Sequence, residues 1–424
     1  MNRAEPRREF PALFTCTLTA FVVLFVYLGM RQLLGLRIGS NSGTYLQSAL
    51  SFLHHFNTNN LSDHMAETAP HDQWMLIALC PFVAIWPHLE TVVIVQVGAV
   101  AFSAAVLRSL VRALGSTPAA ATALGIAWLI SPSVEGFAFG DFTPVHFVPL
   151  LGFGLALALV RRQRIAALVI AQLLFGVKED VLMFTVWTCA IVLWRDDRRL
   201  AVAIAALGAV NLGAYELYEA AHHYHSVAPQ YGFYDPQPVA HGLFLLGVLA
   251  PLAFAPLRLG WRILIAVPLL AELFLAHGYA EGLLARSGSY YTIPLLTLLG
   301  IGTAVVVARS PRIARAALAL SIVAALTLNP TVLRFGRQLS APDPLYPVAR
   351  AWGAVDAPVS FPCADQGAWV VASTNPQADL TGCDAGMKRQ RTAYRNIPLG
   401  STAAWTSGPA ASATPLRRGS FLRR

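Results

Sequence analysis

The residues with the greatest chemical capacity are few, and most stand between long apolar runs. Lys178-Glu179-Asp180 puts three consecutive charges between the runs Ile165–Val177 and Val181–Trp194. Charges at a membrane edge are costly when buried without partners. Only two of the 31 Lys and Arg residues are lysines, Lys178 and Lys388. An ordinary membrane anchor in this composition is Arg. Lys178 therefore reads as a compact cation for a phosphate or for an ion pair. The competing reading is a solvated turn whose charges pair among themselves. In Gly140-Asp141-Phe142-Thr143-Pro144-Val145-His146, Asp141 is a candidate base or metal ligand, and His146 stands at the start of an apolar run. Pro144 favours a first helical turn, so Asp141 or Thr143 could equally be a helix cap.

Asp63-His64 and His71-Asp72 lie close together in one polar stretch. Asp and His at such spacing could bind a divalent cation or do acid–base work, although a polar loop also collects such residues. His222-His223-Tyr224-His225 is a local His cluster with no further ligands beside it, which favours an interfacial loop over a metal site. Tyr215, Tyr218, Tyr224, Tyr231, Phe233 and Tyr234 suit an interface belt or a carbohydrate or lipid platform. Tyr290 and Tyr291 have the same two readings.

The elements that must position these residues are apolar. Of 424 residues, 56% are hydrophobic and 12% charged, and mean hydropathy is +0.55. Soluble domains carry about twice that charged share. This excludes disorder, a coiled coil and a secreted disulfide scaffold, and leaves a multi-pass membrane protein. The net charge of +9 would suggest a nucleic-acid partner in a soluble chain. Here the Arg residues flank apolar runs, so topology accounts for them and no nucleic acid is expected. Twelve charge-poor runs are present, beginning with Phe10–Met30, which is too long for the core of a cleavable signal. If every Arg cluster faces the cytoplasm, an even number of crossings separates each pair. Three runs separate the N-terminal cluster from Arg108, so one does not cross. Gln73–Leu89, broken by Pro81 and Pro87, is the choice. The expectation is an all-α integral membrane protein of about eleven transmembrane helices, N-terminus inside and C-terminus outside, with a long first outer loop. Ser42–Phe56 in that loop has helical spacing and suits a surface helix.

This topology collects Asp63, His64, Asp141, His146, Lys178, Glu179 and Asp180 on the outer side, where any chemistry is expected. Residues 1–333 read as the membrane domain and 334–400 as a short extracytoplasmic segment. Residues 401–424 read as a disordered tail rich in Ala, Ser, Thr, Pro and Gly. Cys363 and Cys383 on the oxidising side could form a disulfide or remain free thiols.

No Walker motif, dinucleotide fingerprint, GxSxG elbow or HExxH is present. The ordered set Gly43–Gln47, Asp63-His64, Gln96, Asp141-Phe142-x-Pro144, Lys178-Glu179-Asp180 and Gly288–Pro294 resembles a bacterial family of polytopic membrane proteins. That family is known as domain of unknown function twenty-seventy-nine, and it is similar to the GT-C glycosyltransferase superfold. The resemblance implies transfer of a sugar from a polyprenyl-phosphate carrier at the outer face of the bacterial inner membrane. A carboxylate would act as base or metal ligand, and cations would hold the lipid phosphate. It casts Asp63 and Asp141 as catalytic, and His64, His146, Lys178, Glu179, Asp180, Tyr290 and Tyr291 as substrate-binding. Membrane lipid and the polyprenyl-phosphate-linked sugar are the expected partners, and a divalent metal is the one cofactor considered. Where the family has Tyr-Asp-Leu-Gly, this sequence has Ser40-Asn41-Ser42-Gly43, and Asn41 cannot be a base. Either Asp63 or Asp141 takes over, or the chain is a degenerate member that binds lipid or a partner. A transporter is the remaining alternative. It would place ionisable residues at mid-bilayer, where Glu272 is the main exception to charge-free spans.

Overall fold

The computed structural model describes residues 11–36, 40–58, 72–222, 238–275 and 290–328, with 342–343, 346–353, 359–362, 370 and 378–381 beyond them. The described chain is helical apart from one short pair of strands. α1 spans Pro11–Leu34 and α2 Ser40–His55. A 3-10 turn, Trp74–Leu79, runs into α3, Cys80–Ile85. α4 (Leu89–Ala113), α5 (Pro118–Leu129) and α6 (Pro132–Phe139) follow. A second 3-10 turn, Pro144–Phe147, leads into α7, Val148–Val160. Then come α8 (Arg164–Phe175), α9 (Glu179–Leu193), α10 (Arg198–His222), α11 (Pro238–Leu249) and α12 (Val267–Leu275). The turn Tyr290–Thr292 opens α13, Ile293–Arg309, followed by α14, Arg312–Leu328, and the short α15, Tyr346–Gly353.

Several starts follow from local chemistry. Pro118 and Pro132 occupy first helical positions, where a missing N–H is harmless and φ is already set. The Thr117 hydroxyl accepts the Ala120 N–H at 3.3 Å and caps α5. Among the described residues, Ala12–Leu34, Leu89–Ala113 and Arg198–Ala221 are long and apolar enough to cross a bilayer. Two bent pairs bring the number to five if each counts as one span: α5 with α6, bent by 53°, and His241–Leu252 with Ala255–Phe274, bent by 119°. Trp74–Ile85, Pro144–Val160, Arg164–Phe175 and Ile293–Arg309 are shorter apolar helices of 10–17 residues. Thus the run Gln73–Leu89 forms a short broken helix packed against α2.

α4 lies at the centre, against α1, α5, α7 and α13. Apolar helices gain little from each other by the hydrophobic effect in lipid, so close van der Waals packing holds them. Trp128 shows this: its indole N–H donates to Ser103 Oγ at 2.9 Å, and its ring meets Phe153 edge-on at 5.0 Å. Gly300 of α13 lets that aromatic pair approach.

The bundle has two chemically distinct ends. At one, Arg-bearing termini meet: Arg164 pairs with Asp197 at 2.7 Å, and Ser116 Oγ donates to Val307 O at 3.3 Å, tying the α4–α5 turn to the end of α13. At the other lie the starts of α2, α4, α7, α9 and α13. There α15 docks: Arg350 pairs with Glu90 at 3.3 Å, and the Asp343 N–H donates to Leu34 O at 2.9 Å. Val359–Pro362 and Ala378–Thr381 form a parallel pair, with Val359 opposite Ala378. These elements fall in the 334–400 segment, where apolar periodicity is absent, because pieces of four and eight residues are too short to show one.

A Cβ on Gly300 would lie 2.9 Å from the Phe153 ring and 3.3 Å from Trp128. Gly300→Val is expected to destabilise by about 1–3 kcal/mol through overpacking. Gly98→Ala in α4, with nothing within 4 Å of its new Cβ, should be neutral or stabilise by up to about 1 kcal/mol. Thermal unfolding of both variants in detergent checks the contrast.

Candidate functional site

The first group of polar residues forms around the start of α2. The opening N–H groups of a helix have no partner inside it and carry a partial positive charge. Asp141 supplies the missing acceptor. The Asn41 N–H donates to Oδ2 at 3.0 Å, and the Ser42 N–H and Oγ–H donate to Oδ1 at 3.0 and 2.5 Å. The Ser42 hydroxyl in turn accepts the Phe142 N–H at 3.1 Å. Burial pushes the Asp141 carboxyl above the usual range, partly opposed by the hydrogen bonds from Ser42 and Asn41. Asp141 is thus a cap, of a helix 100 positions earlier rather than of the helix that follows it.

His146 is buried beside it. Its Nδ1 accepts the Thr143 N–H at 3.1 Å, which leaves Nε2–H to donate to Phe137 O at 3.0 Å. That tautomer is assigned from the partners. The ring stacks on Phe142 at 5.8 Å. Gln96 Nε2 donates to the carbonyls of Phe137 and Gly140 at 2.8 and 2.9 Å, fixing the loop before Asp141 to α4. Both ring nitrogens of His146 are therefore engaged within the fold.

The second group surrounds the start of α9. Lys178 Nζ lies 3.3 Å from Asp180 Oδ2 and 5.4 Å over the Tyr291 ring. Burial would lower the ammonium's pKa, but Asp180, Glu179, Tyr291 and Glu272 raise it by more, so Lys178 stays charged. Asp180 Oδ1 accepts the Val181 N–H at 2.6 Å. Glu179 Oε2 accepts the Asp72 N–H at 3.3 Å, and Gly176 O accepts the Met75 N–H at 2.6 Å, so the Trp74–Leu79 turn is docked on the α8–α9 connection. The Asp72 carboxyl is buried, and burial together with the Glu179 charge pushes it up to about 7. On α10, the Tyr215 hydroxyl donates to Glu219 Oε1 at 2.7 Å, within electrostatic reach of Glu179 and Asp72.

Two bridges join the groups. The Tyr45 hydroxyl of α2 donates to Gln73 Oε1 at 2.5 Å, next to Asp72, while its ring meets Phe142 edge-on at 5.8 Å. The turn carrying His146 also packs against Tyr290–Thr292, whose Tyr291 underlies Lys178. Asp141, His146, Lys178, Glu179, Asp180 and Tyr291 thus share one end of the bundle. Asp63 and His64 lie outside the described residues. Among the described residues, no group of three His, Cys, Asp or Glu is disposed to hold a metal ion.

Asp72 was one of the loop Asp and His residues whose spacing suited acid–base work; burial, and then the charge of Glu179 from a distant helix, raise its carboxyl. Tyr215 and Glu219 had a local signal, since residues four apart share a helix face. A buried carboxyl titrating near neutrality, beside a second carboxylate, can take or give a proton at ordinary pH. The Lys178–Asp180 pair, at the same start of α9 as Glu179, supplies a fixed cation.

Residues 39–234 match the family described as Predicted membrane protein (DUF2079). The match is to the family that the motif set resembles; it takes in Asp141, His146 and the Lys178-Glu179-Asp180 triplet and stops before Tyr290 and Tyr291. No curated protein and no solved structure matches the chain. Membrane character therefore rests on two observations, this match and the apolar helices.

Asp141→Ala should destabilise the protein by about 1.5–3 kcal/mol, as removal of a charged acceptor strands the first N–H groups of α2; hydrogen exchange at Asn41 and Ser42 should rise with it. The Asp72 pKa is higher folded than unfolded, so its contribution favours folding at low pH. That contribution is lost as pH rises from about 4 through about 7. Asp72→Asn should flatten melting temperature against pH across that window.

Proposed function

We propose that this chain is a multi-pass membrane glycosyltransferase of GT-C type, moving a sugar from a polyprenyl-phosphate donor to an acceptor at the outer face of the bacterial inner membrane. The observation that carries the reading is the buried Asp72 carboxyl, raised by burial and by the charge of Glu179, the residue that follows Lys178. In its ionised form Asp72 takes the proton of an acceptor hydroxyl. The acceptor oxygen bonds to the anomeric carbon as the bond from that carbon to the phosphate oxygen breaks. The polyprenyl phosphate departs as an anion, and Lys178, at headgroup depth, offsets its charge. Burial and the Glu179 charge keep the Asp72 pKa near neutrality, and Tyr291 flanks the ammonium.

The topology belonging to this reading has about eleven spans, N-terminus inside and C-terminus outside. Arg-bearing termini gathered at one end and carboxylates at the other favour it. The short broken helix Trp74–Ile85 suits a segment that enters without crossing.

A second reading is a degenerate GT-C-type fold that binds lipid or a partner without transferring a sugar. It is favoured by the engagement of Asp141 and His146 in structural hydrogen bonds and by Asn41 at the start of α2.

Polyprenyl-phosphate binding by the full chain in lipid nanodiscs tests both. The double variant Lys178→Met/Asp180→Asn removes the ion pair without stranding a charge. It should weaken lipid-phosphate binding by about tenfold to a hundredfold, the equivalent of about 1.5–3 kcal/mol. Unchanged affinity rejects the phosphate role of Lys178. Asp72→Asn should keep binding and abolish sugar transfer; a wild-type chain that binds the donor carrier but transfers from no polyprenyl-phosphate sugar supports the degenerate reading.

A further inference from the structure

Between α11 and α12 the chain turns sharply. His241–Leu252 and Ala255–Phe274 meet at a bend of 119°. At that bend Ala253 and Phe254 both take left-handed φ values of 53°, which residues with a Cβ rarely adopt. Hydrogen bonds hold the turn. The Ala253 N–H donates to Ala250 O at 2.9 Å, and the Phe254 N–H to Leu249 O at 3.0 Å. From α14, Ser321 Oγ donates to Pro251 O at 3.0 Å. Ala255–Ala266 then forms a 3-10 stretch that turns again at Gly260, where φ is 60°.

This stretch has two unlike sides. Ala255, Pro256 and Ala266 are buried. Leu259 lies so close to Gly302 of α13 that a Cβ there would stand 2.9 Å from its Cδ1. The other side presents Leu257 (52% exposed), Trp261 (71%) and Leu264 (59%), with Phe254 and Val267 exposed at its two ends. Arg258 and Arg262 are exposed beside them. A Trp among aliphatic side chains, edged by Arg, matches the boundary between headgroups and acyl chains. The depth agrees. Gly302 lies about 10 Å of helix from Arg309, where α13 ends, and Ser321 about 14 Å from Arg312, where α14 begins. A headgroup layer is about 5–8 Å thick. With Arg309 and Arg312 in water, the stretch sits a few ångströms beneath the phosphates.

From this arrangement we infer that residues 254–267 form an interfacial lipid-binding segment at the Arg-bearing end: Leu257, Trp261 and Leu264 insert among acyl chains, and Arg258 and Arg262 reach up to lipid phosphates. An apolar row edged by basic residues complements an apolar layer beneath a phosphate layer. A second copy of the chain is a poorer occupant, because a two-fold contact across this face would set the same Arg pair against itself. The chain therefore runs along the membrane boundary between Phe254 and Val267 and does not cross there. The inference stands apart from the carboxyl site and holds under either functional reading.

The test uses the full chain in lipid nanodiscs, carrying Cys16→Ser, Cys363→Ser and Cys383→Ser. Single nitroxide labels at Leu257→Cys, Trp261→Cys and Leu264→Cys are read for depth by electron paramagnetic resonance, from collisions with oxygen and with a water-soluble nickel chelate. Val210→Cys, exposed in the middle of α10, is the deep reference. The three labels should report one depth, about 5–10 Å below the phosphates and shallower than Val210→Cys. A label at Arg262→Cys should lie nearer the water. A crossing segment would instead give a gradient of about 14 Å from 257 to 264, and that gradient overturns the inference. So do labels as open to the chelate as in bulk water, or shielded from both probes by protein. Should the labelled variants fold poorly, quenching of Trp261 by brominated lipids is read as the difference between wild type and Trp261→Phe. Lipids brominated near the headgroup should quench it more than lipids brominated near the chain end; equal or reversed quenching overturns the inference.

Discussion

A helix that begins inside a protein must find acceptors for its first N–H groups, and for α2 that acceptor is the carboxylate of Asp141. The polar end depends on this contact. It ties the segment after α1 to the loop before α7, fixing α2 over α4 and setting Tyr45 against Phe142. Tyr45 then holds Gln73, Gln73 adjoins Asp72, and Asp72 meets Glu179. The geometry of the carboxyl pair is inherited through hydrogen bonds from a cap formed elsewhere. Gln96 and His146 reinforce the loop from beneath, with His146 acting through both of its ring nitrogens.

The two ends of the bundle express one electrostatic division. Acidic and aromatic side chains gather where α4, α7, α9 and α13 begin. Arg gathers where α4, α7 and α13 end. Between them the core is apolar and closely packed, with Trp128, Phe153 and Gly300 at one of its tightest points. Charged side chains thereby gather at the rims: carboxyls and a lysine at one, Arg-bearing helix ends at the other.

Much of this was legible in the sequence, and the failures have a common cause. Apolar runs marked α1, α4 and α10 because a long hydrophobic stretch needs no tertiary information to be recognised. The spacing of Tyr45, Ala49, Phe52 and Phe56 marked α2. Pairing within Lys178-Glu179-Asp180 was one of two readings, and Lys178–Asp180 forms it across two positions. What could not be read are contacts between residues far apart in the chain. Asp141 looked like a cap for its own helix, yet its partner stands 100 positions away. Asp72 looked like one of several loop acids until Glu179 came beside it from α9. α15 and the strand pair are too short to leave a periodic trace.

The docking of α15 has a consequence for how the molecule is made. Its Tyr346 hydroxyl donates to Glu90 at 3.4 Å across 256 positions of sequence, and Tyr346 and Ala349 complete the small core that also holds Leu33, Tyr45 and Leu76. Such a contact cannot form until every helix between has been synthesised, and loop closure over that length opposes it until the bundle has drawn the ends together. The N-terminal part of the chain emerges first, so that small core waits, with one wall missing, for α15. Assembly is thus ordered in time: the α15 latch closes only on a bundle already in place.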